Sequence, residues 1–384
     1  MKKIFKNMDI PLLISVIIMC IIGLMAILSA SSVKSVFITT DGSPYYFFKK
    51  QLVYLLVSFV VGFFILTRKS KTIEKWTPLL LIGGFGLLIA VLFFGYVANG
   101  CKGWLQFPGF TIQPSEFMKL IMILFMGKFF ANPNRNMDRL SIFTFLFILF
   151  ACLLLIVAEN DLGTTVMLGL ILFFTFITIP LKNDGLIKVA KYLGGAGVVI
   201  VAVFILTGTK VLSEYQMERF NIKNPCGRYY EVGTGYQVCN GYIAMHNGGL
   251  IGVGLGNSTQ KYLYLPEAHT DFIFPIIVEE FGVIRSIMLI LFYLFILVRI
   301  FNIAKRASNL RNSIIAYGVF VYISLHFIVN LGGVLSILPL TGVPLLFLSN
   351  GGSSLFTAVC SIFIVERIAA ESKIENTLRK IKEI

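Results

Sequence analysis

The sequence has 384 residues, a formal net charge of +14, and 57% hydrophobic against 14% charged residues. A mean hydropathy of +0.85 and recurring apolar runs of about 17 to 25 residues exclude a soluble globular protein and indicate a chain that crosses a membrane many times. The runs lack the two-residue alternation of barrel strands, so each is predicted to be a helix that satisfies its own backbone hydrogen bonds.

Ten membrane-spanning helices are predicted. The first is too long, and is followed by too many others, to be a cleaved signal peptide. The predicted fold is therefore an all-α polytopic membrane protein with a single transmembrane domain over 1–384. In chain order the predicted spans are 9–30, 51–67, 77–98, 114–131, 141–158, 165–181, 192–208, 273–299, 314–337 and 354–368.

Basic residues occupy every second connection between the predicted spans. By the positive-inside rule those connections are cytoplasmic, and so are both termini, which agrees with an even number of spans. The charge is then a signal of topology and of contact with lipid head groups rather than of nucleic acid binding. The residues are Lys2, Lys3, Lys6, Arg68, Lys69, Lys71, Lys75, Lys128, Arg135, Arg139, Lys182, Lys188, Lys191, Arg299, Lys305, Arg306 and Arg311, followed by the basic tail 369–384.

The long connections all lie on the outer side. The cytoplasmic connections, of about 8 to 14 residues, are too short for an ATP-binding or other catalytic domain. The outer ones are 31–50, 99–113 and a large extracytoplasmic loop at 209–272 between the seventh and eighth spans, which is rich in Gly, Asn, Tyr and charge and is expected to be ordered. Cys226 and Cys239 share that loop, where oxidation is permitted, so they either form a disulfide or stay free thiols.

The stretch PEAHTDFIFPIIVEE, 266–280, concentrates acidic residues where the eighth span begins. Pro275 suits the first turn of a helix, so Thr270 or Asp271 is expected to be its cap. The helix N-terminus would keep such an Asp ionised, which is the state that a general base requires. Asp271 is therefore either a structural cap or a catalytic base.

Neighbouring residues give this stretch two further interpretations. Glu267, His269 and Asp271 could together hold a divalent cation such as Mg²⁺ or Mn²⁺. Glu279 and Glu280 lie two turns deeper, on faces of the helix that they cannot both share with Asp271. A carboxylate at that depth needs a partner, so these two are predicted to pair with a neighbouring span or with Arg285.

Other polar residues also gather at the outer face. Glu116 and Lys119 either pair across one helical turn or bind a ligand, and Asp161 either caps the sixth span or belongs to a site. The glycines of 252–256 are expected to turn tightly in a re-entrant loop whose amides, with Lys261, could cradle a diphosphate. No nucleotide is expected outside the cell, so an outward enzyme needs a substrate with its own leaving group, such as a polyprenyl diphosphate-linked sugar.

Six motifs together resemble the SEDS family, the polytopic glycosyltransferases named for shape, elongation, division and sporulation. The likeness covers nearly the whole chain and is closer to the division and sporulation members than to the elongation member. The chain departs from the family at Glu159-Asn160, where the family usually has Gln-Pro, and in PLLFLSNGGSS, where it usually has PLPFISYGGSS. The motifs are SASS at 29–32, YFFKKQL at 46–52, QPSEFMKL at 113–120, DLGT at 161–164, GLGNSTQKYLYLPEAHTDFIF at 254–274 and PLTGVPLLFLSNGGSS at 339–354.

The resemblance implies a ten-helix enzyme that polymerises lipid II into glycan strands at the outer face of the bacterial cytoplasmic membrane and releases undecaprenyl diphosphate. It implies as partners a class B penicillin-binding protein and other divisome or elongasome membrane proteins, and no nucleic acid. The family's essential acid matches Asp271, which is assigned as the general base. The expected substrate-binding residues are Trp104, Glu116, Lys119, Asp161, Arg219, Ser258, Gln260, Lys261 and His269, and Lys119, Arg219, Lys261 or a divalent cation would compensate the leaving group's charge.

Two other function classes fit parts of the sequence. A flippase for a lipid-linked cell-wall precursor would need polar residues along a path through the bilayer, whereas here most gather at one face. His326, Asn330, Glu279 and Glu280 are the residues that such a path could use. The third class is a scaffold that only supports the penicillin-binding protein.

Overall fold

The computed structural model describes residues 2–39, 42–98, 100–131, 139–180, 224–228 and 234–382, and these are mostly helical. The predicted seventh span, 192–208, lies outside them, as does Arg219. The helices are α1 Lys2–Asn7, α2 Ile10–Ile38, α3 Tyr46–Thr67, α4 Ser70–Phe94, α5 Pro114–Phe129, α6 Arg139–Ala158, α7 Leu162–Ile177, α8 Thr234–Gly248, α9 Ile273–Lys305, α10 Leu310–Val334 and α11 Gly352–Lys382, with a 3-10 turn at Pro225–Arg228.

Seven of the described helices are long and apolar enough to cross a membrane: α2, α3, α4, α6, α9, α10 and α11. The shorter apolar helix α7 covers most of the predicted sixth span. The prediction of a helical, multi-pass membrane protein is therefore confirmed. The total of ten spans, the orientation and the extent of the large outer loop stay predictions.

Burial separates central helices from peripheral ones. In the most apolar window of each helix, 89% of residues are buried in α11 and 61% in α10, against 28% in α3, α4, α6 and α9. Side chains that are apolar yet exposed on the peripheral helices face the lipid, where exposure carries no hydrophobic cost. The two central helices therefore present mostly protein-facing surfaces, and α10 buries His326 and Asn330 there.

Close packing of α11 against α3 depends on a glycine. A methyl group at Gly62 of α3 would lie 2.1 Å from Cδ2 of Phe363 on α11, which is well inside van der Waals contact. Without a driving force from water, helices in a membrane associate through such close approach of small residues. Gly62 therefore sets the distance between these two helices.

The connection after α4, for which the sequence predicted no secondary structure, forms a small sheet. Strands β1 Tyr96–Ala98, β2 Cys101–Phe107 and β3 Phe110–Ile112 pair antiparallel in the order β1-β2-β3. The β2–β3 hairpin turns at Gly109, whose φ of +84° favours glycine. Two of the strands have only three residues, and polar and apolar residues do not alternate regularly in the seven of β2, so periodicity did not predict them.

Two boundaries differ most from the predicted ones. Helix α2 continues to Ile38, because SSVKSVFI at 31–38 contains neither Gly nor Pro, so the predicted connection 31–50 is partly helical. Helix α11 runs to Lys382, so the predicted tail 369–384 continues the last span through 382 as a helix. Hydropathy marks only the apolar core of a helix, and both extensions lie beyond it.

Candidate active site

Asp271 lies two residues before α9 and is not its cap. The N-cap position is held by Phe272, which makes no side-chain cap hydrogen bond, so the prediction that Thr270 or Asp271 caps the helix was wrong. The chain turns at Glu267, which has a φ of +52°, and the amides of Thr270 and Phe272 bond back to the Glu267 carbonyl at 3.1 and 3.2 Å. This turn buries the Phe272 ring completely and leaves the Asp271 side chain half-buried.

Asn330 of α10 fixes the backbone at Asp271. Its Nδ2 donates to the Asp271 carbonyl and to the Val343 carbonyl, both at 2.8 Å. A methyl group at Gly342, where φ is +70°, would lie 3.7 Å from Asp271 Oδ2. The segment between α10 and α11 therefore passes beside the carboxylate, and one amide side chain ties the two together.

A buried charge network lies one helical turn from Asn330. Lys119 of α5 donates from Nζ to Glu116 Oε1 at 2.7 Å and to His326 Nε2 at 3.2 Å, with side-chain exposures of 1% for Lys119 and 5% for Glu116. The His326 Nδ1 then donates to the Pro344 carbonyl at 3.2 Å, which fixes its tautomer. His326 and Asn330 are four residues apart on α10, so they lie on one face of that helix.

The Glu116–Lys119 ion pair is therefore present, as one of the two interpretations of these residues expected. The sequence did not connect it to His326, although the signal was there: His326 is one of three histidines in the chain and lies inside an apolar span. Among the described contacts, Glu116 Oε2 is buried without a hydrogen-bond partner. A buried carboxylate oxygen in that state leaves the network capable of accepting one more donor.

Asp161 is the N-cap of α7 and also connects two outer segments. Its carboxylate accepts from the Thr164 amide at 2.9 Å and the Thr164 hydroxyl at 2.6 Å, so the structural interpretation of this residue holds. It accepts in addition from Gln113 Nε2 at 3.1 Å, just before α5. The half-buried Trp104 lies on β2, directly after Gly103, where a methyl group would be 3.9 Å from Asp161 Oδ2.

Glu159 is an acid in this same cluster that the sequence did not nominate for the site. It is fully buried, and within the described residues neither carboxylate oxygen has a hydrogen-bond partner. Burial, reinforced by the negative charge of Asp161, raises its pKa to about 8. Glu159 is therefore mostly protonated at neutral pH, and a protonated Glu has the shape and neutrality of the Gln that the family usually carries there.

Glu279 anchors the loop that precedes α9. Its carboxylate accepts from the Ser258 hydroxyl, from the Thr259 hydroxyl at 2.8 Å and amide at 3.2 Å, and from Asn247 Nδ2 at 3.3 Å. The Gln260 amide adds a longer contact at 3.4 Å. Glu279 is thus a structural partner with its own ring of donors, although the ring comes from the outer loop and not from a neighbouring span.

Glu280 holds Lys261 in the same way. The two side chains pair at 3.5 Å, with exposures of 1% and 5%, and the Ser29 hydroxyl of α2 donates to Glu280 as well. The expected alternative pairing with Arg285 was wrong, because Arg285 donates to the Ile251 carbonyl at 3.1 Å. Lys261 also donates to the Gly256 carbonyl, so its ammonium is bound within the loop.

Three amides of the glycine-rich segment predicted to cradle a diphosphate, 252–256, are already occupied by backbone carbonyls. The amides of Gly252, Val253 and Gly254 donate to the carbonyls of Gly248, Glu279 and Glu280 at 2.8, 3.0 and 3.0 Å. Ser258, Gln260 and Lys261 are all at least 92% buried. Their predicted role in binding substrate is therefore not visible in this geometry, which makes them anchors of the loop.

Glu267 and His269 do not converge with Asp271 on a metal. Glu267 pairs with Lys34 at 3.3 Å, and His269 is buried with its ring 4.4 Å from the ring of Phe47. Burial acts to raise the pKa of Glu267, but Lys34, Thr270 and His269 together hold it below its usual value. Burial and the charge of Lys34 lower the pKa of His269 to about 4. Across the described ranges, no three His, Cys, Asp or Glu side chains are grouped to hold a metal ion.

A disulfide joins Cys226 to Cys239. It ties the 3-10 turn Pro225–Arg228 to the first half of α8, which packs along α9. The bond resolves the two alternatives that the sequence left open for these thiols. Cys20, Cys152 and Cys360 lie outside this disulfide and are buried within helices.

Known proteins are similar to this chain over nearly its whole length. The profile of the FtsW, RodA and SpoVE family, described as "Cell cycle protein", covers residues 10–374. The chain is 32% identical to the probable peptidoglycan glycosyltransferase FtsW of Bacillus subtilis strain 168 over 99% of its own length and 95% of the relative's. It is 34% identical to the stage V sporulation protein E of the same organism, over 95% of this chain and 98% of that protein.

Solved structures with the same fold are more distant in sequence. One, described as "Structural coordination of polymerization and crosslinking by a peptidoglycan synthase complex", superposes with a TM-score of 0.72 at 21% identity, over 95% of this chain and 98% of that one. The rod shape determining protein RodA of Thermus thermophilus superposes with a TM-score of 0.65 at 20% identity, over 94% and 96% of the two chains. At these identities the likeness supports the arrangement of the helices.

Proposed function

The chain belongs to the FtsW, RodA and SpoVE family, and from that membership we infer that it is a peptidoglycan glycosyltransferase of the bacterial cytoplasmic membrane. The family that the sequence motifs predicted is thereby confirmed, and the relatives' names connect it to cell division and sporulation. Its apolar helices are those of a multi-pass membrane protein. The substrate class is a lipid-linked precursor, lipid II, which brings its own diphosphate leaving group to the outer face.

The orientation follows from the basic connections. Ten spans with both termini in the cytoplasm put the turn before α9, the small sheet and the segment between α10 and α11 on the outer side. Asp271, Asp161 and the sheet then share the face where the lipid-linked substrate carries its sugar. The ends of α9 and α11 that carry Arg299 and Lys373 lie on the cytoplasmic side.

Asp271 acts as the general base in this proposal. As the sugar hydroxyl of one lipid-linked molecule attacks the anomeric carbon of the growing chain, Asp271 takes the hydroxyl proton. A carbon–oxygen bond forms at that carbon, and its bond to the diphosphate oxygen breaks, releasing undecaprenyl diphosphate. The observation that carries the assignment is a half-buried carboxylate at the mouth of a span, on a residue whose backbone carbonyl is held by Asn330 and whose side chain is bordered by a glycine.

The basicity required of Asp271 is modest. The diphosphate leaves with much of the negative charge, so the sugar's transition state has oxocarbenium character and little pull on the nucleophile's proton is needed. Lys119 contacts Glu116 and His326, and His326 lies one turn of α10 from Asn330. In this proposal the Lys119 ammonium supplies positive charge near the leaving group. A divalent cation bound between the diphosphate and the protein would serve the same purpose.

A class B penicillin-binding protein is the proposed partner. The solved assembly with this fold is described as coordinating polymerization with crosslinking. A polymerase that releases uncrosslinked strands needs a transpeptidase beside it, which is what such a partner provides. Other membrane proteins of the divisome or elongasome would then place the pair in the cell.

Reconstitution tests the assignment. The purified chain and its partner, with the transpeptidase blocked by a β-lactam, are mixed with lipid II in vesicles, and polymer is measured on gels. We expect wild-type protein to form polymer and Asp271→Asn, which keeps the side chain's shape, to lose about 10²-fold or more in rate. The control Glu375→Gln changes an exposed acid on the cytoplasmic end of α11 and should polymerise normally.

The same preparation separates polymerisation from transport. A flippase would move lipid II between leaflets without forming polymer, and its rate would not depend on Asp271. A scaffold would give neither product nor translocation. If Asp271→Asn folds and polymerises like wild type, the assignment of the base is wrong, even if the chain remains a polymerase.

A further inference from the structure

A cavity of about 410 Å³ lies at the opposite end of the molecule from Asp271. It is bounded by the start of α2, the end of α9 and the last third of α11. Its size is within the range of small-molecule sites. The proposed orientation places it on the cytoplasmic side, at the ends of the membrane spans, where lipid head groups lie.

The wall of the cavity carries an excess of positive charge. Arg299, Arg306, Lys373 and Asp9 all line it. Asp9 is already occupied: Arg299 donates to its two oxygens at 3.1 and 2.5 Å, and the Leu12 amide donates to it at 3.1 Å. Arg306 and Lys373 are exposed and form no ion pair within the described residues. Two cations therefore face the cavity uncompensated.

The remaining lining suits an amphipathic anion. Asn302 and Asn376 offer hydrogen-bond donors, while Met8, Ile303 and Ala369 provide an apolar side. A free inorganic anion would use the donors and leave the apolar side wet. A head group attached to acyl chains would use both, because its glycerol and first methylenes continue past the phosphate.

We propose that this cavity binds the phosphate head group of an anionic phospholipid from the inner leaflet. Arg306 and Lys373 hold the phosphate, and the apolar side receives the glycerol backbone. Basic pockets between transmembrane helices on the cytoplasmic side are suited to such lipids, since the head group needs no desolvation beyond what the membrane surface already imposes. The lipid would bridge the start of α2 and the cytoplasmic ends of α9 and α11.

Native mass spectrometry tests the proposal on the full chain. Detergent-purified, delipidated protein is titrated with phosphatidylglycerol, with the zwitterionic lipid phosphatidylcholine, and with inorganic phosphate or glycerol phosphate. We expect retention of phosphatidylglycerol over phosphatidylcholine, and a roughly tenfold or greater loss of its affinity in Arg306→Gln/Lys373→Gln. Phosphate and glycerol phosphate should not displace the lipid at equal concentration.

A matched control removes the same charge elsewhere. Lys75→Gln/Lys305→Gln neutralises two exposed basic residues that belong to cytoplasmic connections and do not line the cavity. Its affinity for phosphatidylglycerol should change by less than about twofold, and only the cavity variant should lose the rise in melting temperature that the lipid gives. Equal losses in both variants, equal binding of phosphatidylcholine, or displacement by free phosphate would each overturn the proposal.

Discussion

At the scale of single residues, the site depends on side chains that position others. Asn330 makes two hydrogen bonds, one to the backbone at Asp271 and one to the segment beside it, and is 4% exposed. Because an amide offers two donors on one nitrogen, no aliphatic residue can replace both bonds. The placement of the carboxylate is therefore set by α10 rather than by the cap of its own helix.

Asn330→Ala should lower the polymerisation rate without removing the base. Misplacing a catalytic group by about 1 Å can cost on the order of 10²-fold, and we expect a loss of about tenfold to a hundredfold in turnover. The measurement is the rate at saturating and at limiting lipid II, with folding checked by melting temperature. Asn257→Ala, on an exposed turn, is the control. Unchanged turnover in a folded Asn330→Ala would show that the tether does not position Asp271.

Glu159 should give the stability of the protein a specific dependence on pH. Its pKa is about 8 in the folded protein against an ordinary value of 4.5, so between these pH values the folded state holds a proton that the unfolded state has released. Stability then falls as pH rises through this window and levels off above it. Glu159→Gln stays neutral, so its advantage over wild type should grow from nearly nothing at pH 4.5 to a few kcal/mol near pH 8.

Melting temperatures at pH 5, 6.5 and 8 measure this difference. The exposed acid Glu375 supplies the comparison, since Glu375→Gln should leave the pH profile of wild type unchanged. If the gap between Glu159→Gln and wild type is the same at pH 5 and pH 8, Glu159 is not held in its protonated form.

At the scale of elements, α9 is interrupted at one residue, and a neighbouring segment forms the backbone hydrogen bonds that the helix cannot form there. Gly282 has a φ of +81° and a ψ of 167°, so the helix is interrupted there. Carbonyls on its outer side accept from the amides of Val253 and Gly254, and the amides of Val283 and Ile284 donate to the carbonyls of Gly249 and Leu250 at 3.0 and 3.2 Å. Backbone groups freed inside a membrane need such partners, and the glycine-rich segment provides them.

Glycines of this segment should therefore differ sharply in their tolerance of alanine. Gly252 and Gly256 have nearly equal φ values, +82° and +83°, but a methyl group at Gly252 would lie 2.3 Å from the Glu280 carbonyl oxygen, whereas Gly256 has nothing within 4 Å. Gly256→Ala should cost about 1 kcal/mol of backbone strain, and Gly252→Ala several kcal/mol in addition. Equal melting temperatures for the two variants would show that the packing of the glycine-rich segment against α9 tolerates the added methyl group.

How far the sequence predicted these elements depended on the range of the interaction. The apolar runs of α2, α9 and α10 were found because hydropathy is a local property. Lys261 and Glu280 are 19 residues apart, and Lys119 and His326 are 207 apart. No local sequence pattern predicts partners at such separations. Asp271 was assigned as the base because it matches a family motif. Phe272, which holds the N-cap position of α9, was not predicted there because aromatic residues are poor caps.

At the scale of the whole molecule, a covalent link ties the turn before α8 to that helix. The disulfide between Cys226 and Cys239 closes a loop of 13 residues. A bond closing a loop of this length contributes about 3 kcal/mol by restricting the unfolded chain. The segment before α8 therefore gains stability that its few apolar residues would not supply.

Cys226→Ser/Cys239→Ser should melt at a lower temperature than wild type by several degrees, and a reductant should shift wild type but not the variant. Cys101→Ser, which removes a cysteine outside the disulfide, is the control. An identical response of wild type and double variant to reductant would contradict a structural role for the bond.

The repair of α9 also has a consequence for how the chain is made. Gly252 and Gly282 are 30 residues apart, and the repairing segment comes first. At 5 to 20 residues per second it leaves the ribosome about 2 to 6 s before the break that it must serve. The half of α9 before Gly282 can therefore enter the bilayer when its hydrogen-bond partners are already synthesised. The interrupted helix and its glycine-rich segment can then insert as one unit, without unpaired backbone groups in the lipid.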